Sequence, residues 1–145
     1  MGFIYTDPNT AGPFASFQMK DVQVKVFKLT SANFTTGNTD AKVGALPGDC
    51  SILGFETWVG TALSGNGVTS PVISLGTASA GTQYASAVAI TNTVGTAAKL
   101  SPVTGIMQAH AVPPASGDTA LWVRGGCSTG SPTAGEIYLA VYFIR

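Results

Sequence analysis

Apolar and polar residues alternate along several short stretches of the chain with a period of two, which is typical of β-strands. The C-terminal stretch is unusual because both of its alternating sets are largely apolar. One set is Ile137, Leu139, Val141 and Phe143, and the other is Tyr138, Ala140, Tyr142 and Ile144. We expect the first set to face the core. The second set must then be covered by the chain's own domain or by another molecule.

Other stretches carry more specific expectations. In DVQVKVFKL the residues Val22, Val24 and Val26 alternate with Gln23 and Lys25, which predicts a half-buried antiparallel strand. Residues 30–49 show little regular pattern and are predicted to form a long loop. In TQYASAVAITNT one face carries only small side chains, which predicts a second sheet or another subunit close to it. That face consists of Ala85, Ala87 and Ala89.

No run of good helix formers at a period of 3.6 occurs, so the chain is predicted to be all-β. About eight strands separated by turn residues indicate a two-sheet β-sandwich. A jelly roll is the most natural eight-stranded version of it. An immunoglobulin-type sandwich is the second choice, because no suitable Cys–Trp–Cys spacing is present. The β-sandwich domain is predicted to span residues 20–145.

Residues 1–19, MGFIYTDPNTAGPFASFQM, precede that domain and contain four aromatic residues spaced irregularly around two prolines. The four are Phe3, Tyr5, Phe14 and Phe17. Such a segment is too irregular for a strand and too aromatic for an indifferent solvated tail. We interpret it as an extended N-terminal arm that docks onto a partner, and packing on its own domain is the equally open alternative.

Composition narrows the function classes. The chain has 145 residues, 45% of them hydrophobic and only 10% charged, with a formal net charge of zero. Globular domains carry about 25% charged residues, so this surface has little electrostatic protection against association. A neutral chain is a poor nucleic-acid binder. No apolar run approaches the ~20 residues of a membrane span, and no secretion signal is recognisable at the N-terminus.

Residues that could support chemistry are few. Cys50 and Cys127 are expected to be thiols packed as small apolar groups rather than a disulfide, and with one histidine they make no zinc site. Catalysis by a small hydrolase would require Glu56, Glu136 or His110 in a cleft. Nothing in the sequence brings these three together. We therefore predict a protein that is not an enzyme and uses no cofactor or metal.

The sequence offers better candidates for binding a partner than for catalysis. Trp122 and Arg124 share one face of the stretch ALWVRGG, and this pair of residue types is common at interface hot spots. Core packing, a protein interface and a carbohydrate site all stay open for Trp122 at this point. Tyr138 and Tyr142 lie on the second face of the C-terminal strand. Tyrosines suit a subunit contact that is apolar at its centre and exposed to solvent at one edge.

Three stretches of the chain are distinctive when taken together. They are LPGDCSILGFETWVGTAL, in which a Leu-Pro turn leads into a strand, ISLGTASAGTQYASA, and the closing strand in SPTAGEIYLAVYFIR. Their layout resembles that of small virion structural proteins of tailed bacteriophages. The similarity covers roughly residues 46–145 and leaves the N-terminal arm unmatched.

The resemblance implies a capsid decoration, or cement, protein that binds the outside of the major capsid shell and stabilises it. It also implies a homo-oligomer, most often a trimer, that is made in the host cytoplasm, is located on the capsid surface and reaches a neighbour with its arm. The alternative is an adaptor or receptor-binding module of a phage tail or spike, in which Trp58 or Trp122 binds host glycans.

Overall fold

The structure, a computed structural model, describes residues 22–48, 50–100 and 118–144. In these ranges it contains nine β-strands and one turn of 3-10 helix, Ser31–Asn33. The strands are β1 (Val22–Thr30), β2 (Phe34–Thr35), β3 (Thr39–Leu46), β4 (Ser51–Ser64), β5 (Val72–Gly76), β6 (Ala85–Ala89), β7 (Ala97–Leu100), β8 (Thr119–Gly126) and β9 (Ala134–Ile144). None of the described segments forms a helix with the length and apolar character that crossing a membrane requires.

The strands form two sheets, which confirms the predicted all-β sandwich. Sheet A has the order β1-β9-β4-β7, and all of its pairs are antiparallel. Sheet B has the order β2-β8-β5-β6, and β3 also pairs with β8 in antiparallel fashion. The jelly roll stays a prediction, and the placing of the late strands β8 and β9 between earlier ones is the observation that supports it.

The core lies between the two sheets and is built from the inward face of each strand. On β9 the four residues expected to face inward are all buried, which confirms that prediction: Ile137, Leu139, Val141 and Phe143. On β8, Leu121 and Val123 supply the facing layer and are fully buried. Full burial of such side chains contributes about 1.5–3 kcal/mol each, so the alternation of these two strands accounts for much of the stability.

The prediction for the valines of β1 was wrong. Val22, Val24 and Val26 are 59%, 51% and 49% exposed, while Leu29, on the opposite face of the strand, is fully buried. The reason is a conflict of phase within the strand, because Phe27 and Leu29 alternate out of step with the valines. The larger residues decide the orientation. Phe27 packs on the core and lies against Gly44 of β3, where a Cβ atom would overlap its ring.

The long loop predicted over residues 30–49 was also wrong, because this segment contains β2 and most of it after Asn38 forms β3. The pairing of β3 with β8 runs from Thr39 opposite Gly125 to Leu46 opposite Thr119. The residues of β3 are mostly small, so they show no hydrophobic alternation. Backbone hydrogen bonding to β8 specifies the strand instead, and a bulge between Lys42 and Gly44 breaks its period.

The alanine face predicted for β6 is not a covered face. Ala85 is fully buried, but Ala87 and Ala89 are exposed. Ala87 has a φ of 46°, in the left-handed region, and the register with β5 shifts nearby. This irregularity ends the simple alternation on which the prediction depended.

Some predictions fall outside the described residues. These are the N-terminal arm with Phe3, Tyr5, Phe14 and Phe17, the strand expected near His110, and His110 itself. Cys50 and Cys127 are both buried, as expected of thiols packed as small apolar groups, and the structure holds them without a disulfide bond. Burial raises the pKa of the Cys127 thiol.

Candidate functional site

The outer face of sheet A is the most apolar exposed surface among the described residues. Five large apolar side chains are exposed among the described residues, and four of them lie on β1 or at the start of β4: Val22, Val24, Val26 and Leu53. Val24 pairs with Tyr142 of β9, which in turn pairs with Gly54 beside the bulge at Leu53. Val24, Tyr142 and Gly54 therefore form a strip that crosses three strands without a charged side chain. Exposed apolar patches of this kind mark sites of protein interaction.

Aromatic rings cover the middle of the same face. Tyr138 of β9 lies between Lys28 of β1 and Trp58 of β4 in the register. The Tyr138 and Trp58 rings stack with centroids 5.1 Å apart and planes inclined by 20°. Gly60 makes room for this arrangement, because a Cβ at that position would overlap the Tyr138 ring. Both rings stay half-buried, so each offers only part of its surface to a partner.

Two carboxylates, those of Glu136 and Glu56, fix the positions of the Tyr138 and Tyr142 hydroxyl groups. The Tyr138 hydroxyl donates to Glu136 Oε2 at 3.2 Å, and Glu136 also pairs with the Lys28 ammonium. The hydrogen bond from Lys28 lowers the pKa of Glu136, and the same bond raises the pKa of Lys28. The Tyr142 hydroxyl donates to Glu56 Oε2 at 3.0 Å, and this bond raises the pKa of Tyr142. The hydroxyl groups of both tyrosines are therefore fixed by hydrogen bonds within sheet A.

The same geometry bears on the hydrolase alternative. Glu56 pairs with Ala140 and Glu136 pairs with Thr61, so the two glutamates are offset by four residues along β9. That offset corresponds to about 13 Å between their backbone positions. Each carboxylate accepts a hydrogen bond from its own tyrosine rather than facing the other across a cleft. Among the described residues, no group of three or more His, Cys, Asp or Glu side chains could hold a metal ion.

Trp122 and Arg124 lie on the outer face of sheet B. They alternate with the buried Leu121 and Val123, which confirms that the pair shares one face of β8. Trp122 is flanked by Lys42 of β3 and Gly76 of β5 in the register, and Arg124 by Asp40 and Ser74. The Arg124 Nε atom lies 3.8 Å from Asp40 Oδ1, which is beyond hydrogen-bond distance.

The predicted contact residues therefore form two separate groups. Tyr138 and Tyr142 share the outer face of sheet A, whereas Trp122 and Arg124 share the outer face of sheet B. Sequence reasoning missed the valines of β1 as part of the first surface. The signal that could have found them was the phase change at Phe27, since one strand cannot bury both of its alternating sets at a two-sheet interface.

The fold can be compared with known structures. A chain of the structure described as the cyanophage Pam1 capsid asymmetric unit superposes with a TM-score of 0.58 at 22% identity, over 86% of this chain and 85% of that chain. The fold is one found in phage capsids. A chain from the capsid of Ralstonia phage GP4 superposes equally well, with a TM-score of 0.58 at 18% identity, over 86% of this chain and 84% of that chain.

The likeness to phage virion proteins expected from the sequence is thus confirmed at the level of the fold. No protein-family model matches the sequence, and neither does any curated protein.

Proposed function

We propose that this chain is a non-enzymatic structural protein of a phage virion, which binds the outside of the major capsid shell as a decoration, or cement, protein and stabilises it. The observation that carries the proposal is the fold shared with chains of two phage capsids over 86% of this chain. Its partners are the major capsid protein and further copies of itself, in a homotrimer.

The outer face of sheet A supports a role in assembly. Burying Val22, Val24 and Val26 against a partner removes apolar surface from water, which gains about 25 cal/mol for each Å². The preordered Tyr138 and Tyr142 lose little side-chain freedom on binding, because their hydroxyl groups are already hydrogen-bonded. A surface of this kind is the one we expect a shell-binding protein to present.

Reconstitution on capsids tests the proposal. The purified chain is added to shells of its own phage that lack it, and the decorated particles are imaged by electron cryomicroscopy. We expect additional density at regular positions on the outside of the shell, and decorated shells that withstand heating to a higher temperature than bare ones. A chain that leaves the shell undecorated contradicts the proposal.

The same experiment separates the tail alternative. If whole virions imaged with an antibody fragment against the chain carry the label at the tail and not on the shell, a receptor-binding or adaptor role replaces the capsid role. Binding to host glycans that is lost on Trp58→Ala would then identify the ligand class.

A further inference from the structure

The outer face of sheet B contains an arginine that the fold leaves incompletely paired. The Nε atom of Arg124 is shielded from solvent and has no hydrogen-bond partner in the structure. Its neighbour Asp40 lies at 3.8 Å, too far for a hydrogen bond to this nitrogen. A buried donor of a charged group without an acceptor costs free energy. Because this nitrogen is shielded, a partner can compensate only through the exposed part of the same side chain.

The loop between β5 and β6 explains why Asp40 does not complete the pair. The backbone N–H of Ala80 donates to Asp40 Oδ1 at 3.0 Å. Gly81 packs on the outer side of Gly76, where a Cβ would overlap its backbone, so the loop lies over the outer face of sheet B. Since β8 lies between β5 and β3, the loop crosses β8 to reach Asp40. The Asp40 carboxylate therefore holds the loop beside Arg124, whose Nε atom is shielded from solvent.

The side chain of Arg124 is nevertheless 37% exposed, so a partner can reach part of it. Trp122 lies two residues away on the same face of the strand. A guanidinium is a planar fork of N–H donors that matches a carboxylate, and arginine and tryptophan are both enriched at binding hot spots. The positive charge of the partly exposed guanidinium selects an anionic partner group.

We propose that Trp122 and Arg124 form the contact by which the chain binds an acidic side chain on the surface of the major capsid protein, with the carboxylate on the Arg124 guanidinium and the Trp122 ring packed beside it. This proposal rests on the capsid role proposed above. It adds which face carries the electrostatic contact and which chemical group receives it.

Binding of the full chain to bare shells, measured by co-sedimentation over a range of chain concentrations, tests the assignment. Arg124→Gln removes the charge and the fork, and we expect it to weaken binding by about thirtyfold, or about 2 kcal/mol at 1.4 kcal/mol for each factor of ten. Lys42→Gln is the matched control, because it removes one positive charge from the same face without changing the Arg124 guanidinium. We expect it to change binding by less than about threefold.

Asp40→Asn, unlike Arg124→Gln, is expected not to weaken binding to the shell. An asparagine can still accept the hydrogen bond from Ala80, but it no longer competes for the guanidinium charge. We expect the shell affinity to stay equal or to rise by up to about fivefold. If Asp40→Asn weakens binding as much as Arg124→Gln does, the two residues serve only to hold the fold together and the proposal fails.

Each further outcome decides a separate point. Equal binding by the wild type and Arg124→Gln overturns this proposal and leaves the capsid role intact, whereas a wild type that does not bind shells overturns both. If Arg124→Gln changes the oligomeric state in light scattering, the face is a contact between copies and the capsid assignment is wrong.

Should Arg124→Gln fail to fold, Arg124→Lys replaces it. It keeps the charge but loses the fork, so we expect binding to weaken about fivefold, and wild-type binding would overturn the proposal.

Discussion

At the scale of single residues, Gly125 is the tightest point of sheet B. It pairs with Phe34 of β2, Thr39 of β3 and Ile73 of β5, so three strands converge on it. A Cβ atom at this position would overlap the carbonyl oxygen of Asn33, which belongs to the backbone and cannot rotate away. Glycine is required here by the close approach of another segment of backbone.

We predict that Gly125→Ala destabilises the fold by about 3 kcal/mol, because the 3-10 turn before β2 must move to admit the methyl group. Urea unfolding followed by tryptophan fluorescence measures the change. Gly54→Ala is the matched control, since a Cβ there has no atom within 4 Å, and we expect a change of less than about 0.5 kcal/mol. Equal unfolding midpoints for the two variants would mean that the turn yields freely.

The pair of Lys28 and Glu136 gives a prediction for pH. The pKa of Glu136 is lowered by the hydrogen bond from Lys28. Its contribution to stability is therefore present above the pKa of a glutamate in the unfolded chain, about 4.3, and is lost as the pH falls through the lowered value. We expect the wild type to be more stable than Glu136→Gln at pH 6, and the difference to disappear as the pH is lowered.

Unfolding curves between pH 2.5 and pH 6.5, at about half-unit steps, measure that difference. Lys28→Gln should lose the same part of the pH dependence, since it removes the other half of the pair. A difference between wild type and Glu136→Gln that is independent of pH would show that the carboxylate acts through packing alone.

At the scale of the element, the two faces of β1 have different roles, one in folding and the other in the proposed binding. Its core contact comes from Phe27 and Leu29, and its outer face carries exposed valines beside Tyr142. Replacing an exposed side chain on an edge strand by another β-branched residue keeps the β-propensity and changes only the polarity.

We predict that the triple variant Val22→Thr, Val24→Thr, Val26→Thr folds with nearly unchanged stability but binds capsid shells more weakly. Thermal unfolding and shell co-sedimentation give the two readouts. The control is Leu139→Ala on β9, which is fully buried and should destabilise the fold by about 2–5 kcal/mol. A triple variant that binds as well as the wild type would exclude the outer face of β1 from the interface.

At the scale of the whole molecule, both sheets are assembled from strands that are distant in sequence. β1 pairs with β9 over the full length of β1, from Val22 opposite Ile144 to Thr30 opposite Glu136. The core formed by the described residues begins at Leu29 and ends at Phe143.

Deletion of residues 1–19 tests the predicted arm at this scale. We expect the truncated chain to keep its far-ultraviolet circular dichroism spectrum and a cooperative thermal transition, and to lose binding to capsid shells. A truncated chain that decorates shells at full occupancy would remove the arm from the proposed function. Loss of the cooperative transition would instead place residues 1–19 within the folded domain.

Local patterns in the sequence determined what depends on local chemistry. The absence of a helical period predicted the all-β class, the alternation in β9 identified Ile137, Leu139, Val141 and Phe143 as core, and the alternation in β8 placed Trp122 and Arg124 on one face. These inferences succeeded because side chains on a strand alternate whatever the strand pairs with.

Tertiary structure decided what depends on pairing partners. It placed the valines of β1 outward, since Phe27 and Leu29 face the second sheet, and it made a strand of Thr39–Leu46, which is defined by hydrogen bonds to β8 rather than by its own pattern. It also brought the loop at Ala80 to Asp40, which pairs with Arg124, across forty residues of sequence. A period of two tells which residues share a face, but only the partner across the sheet or the sandwich determines which face is buried.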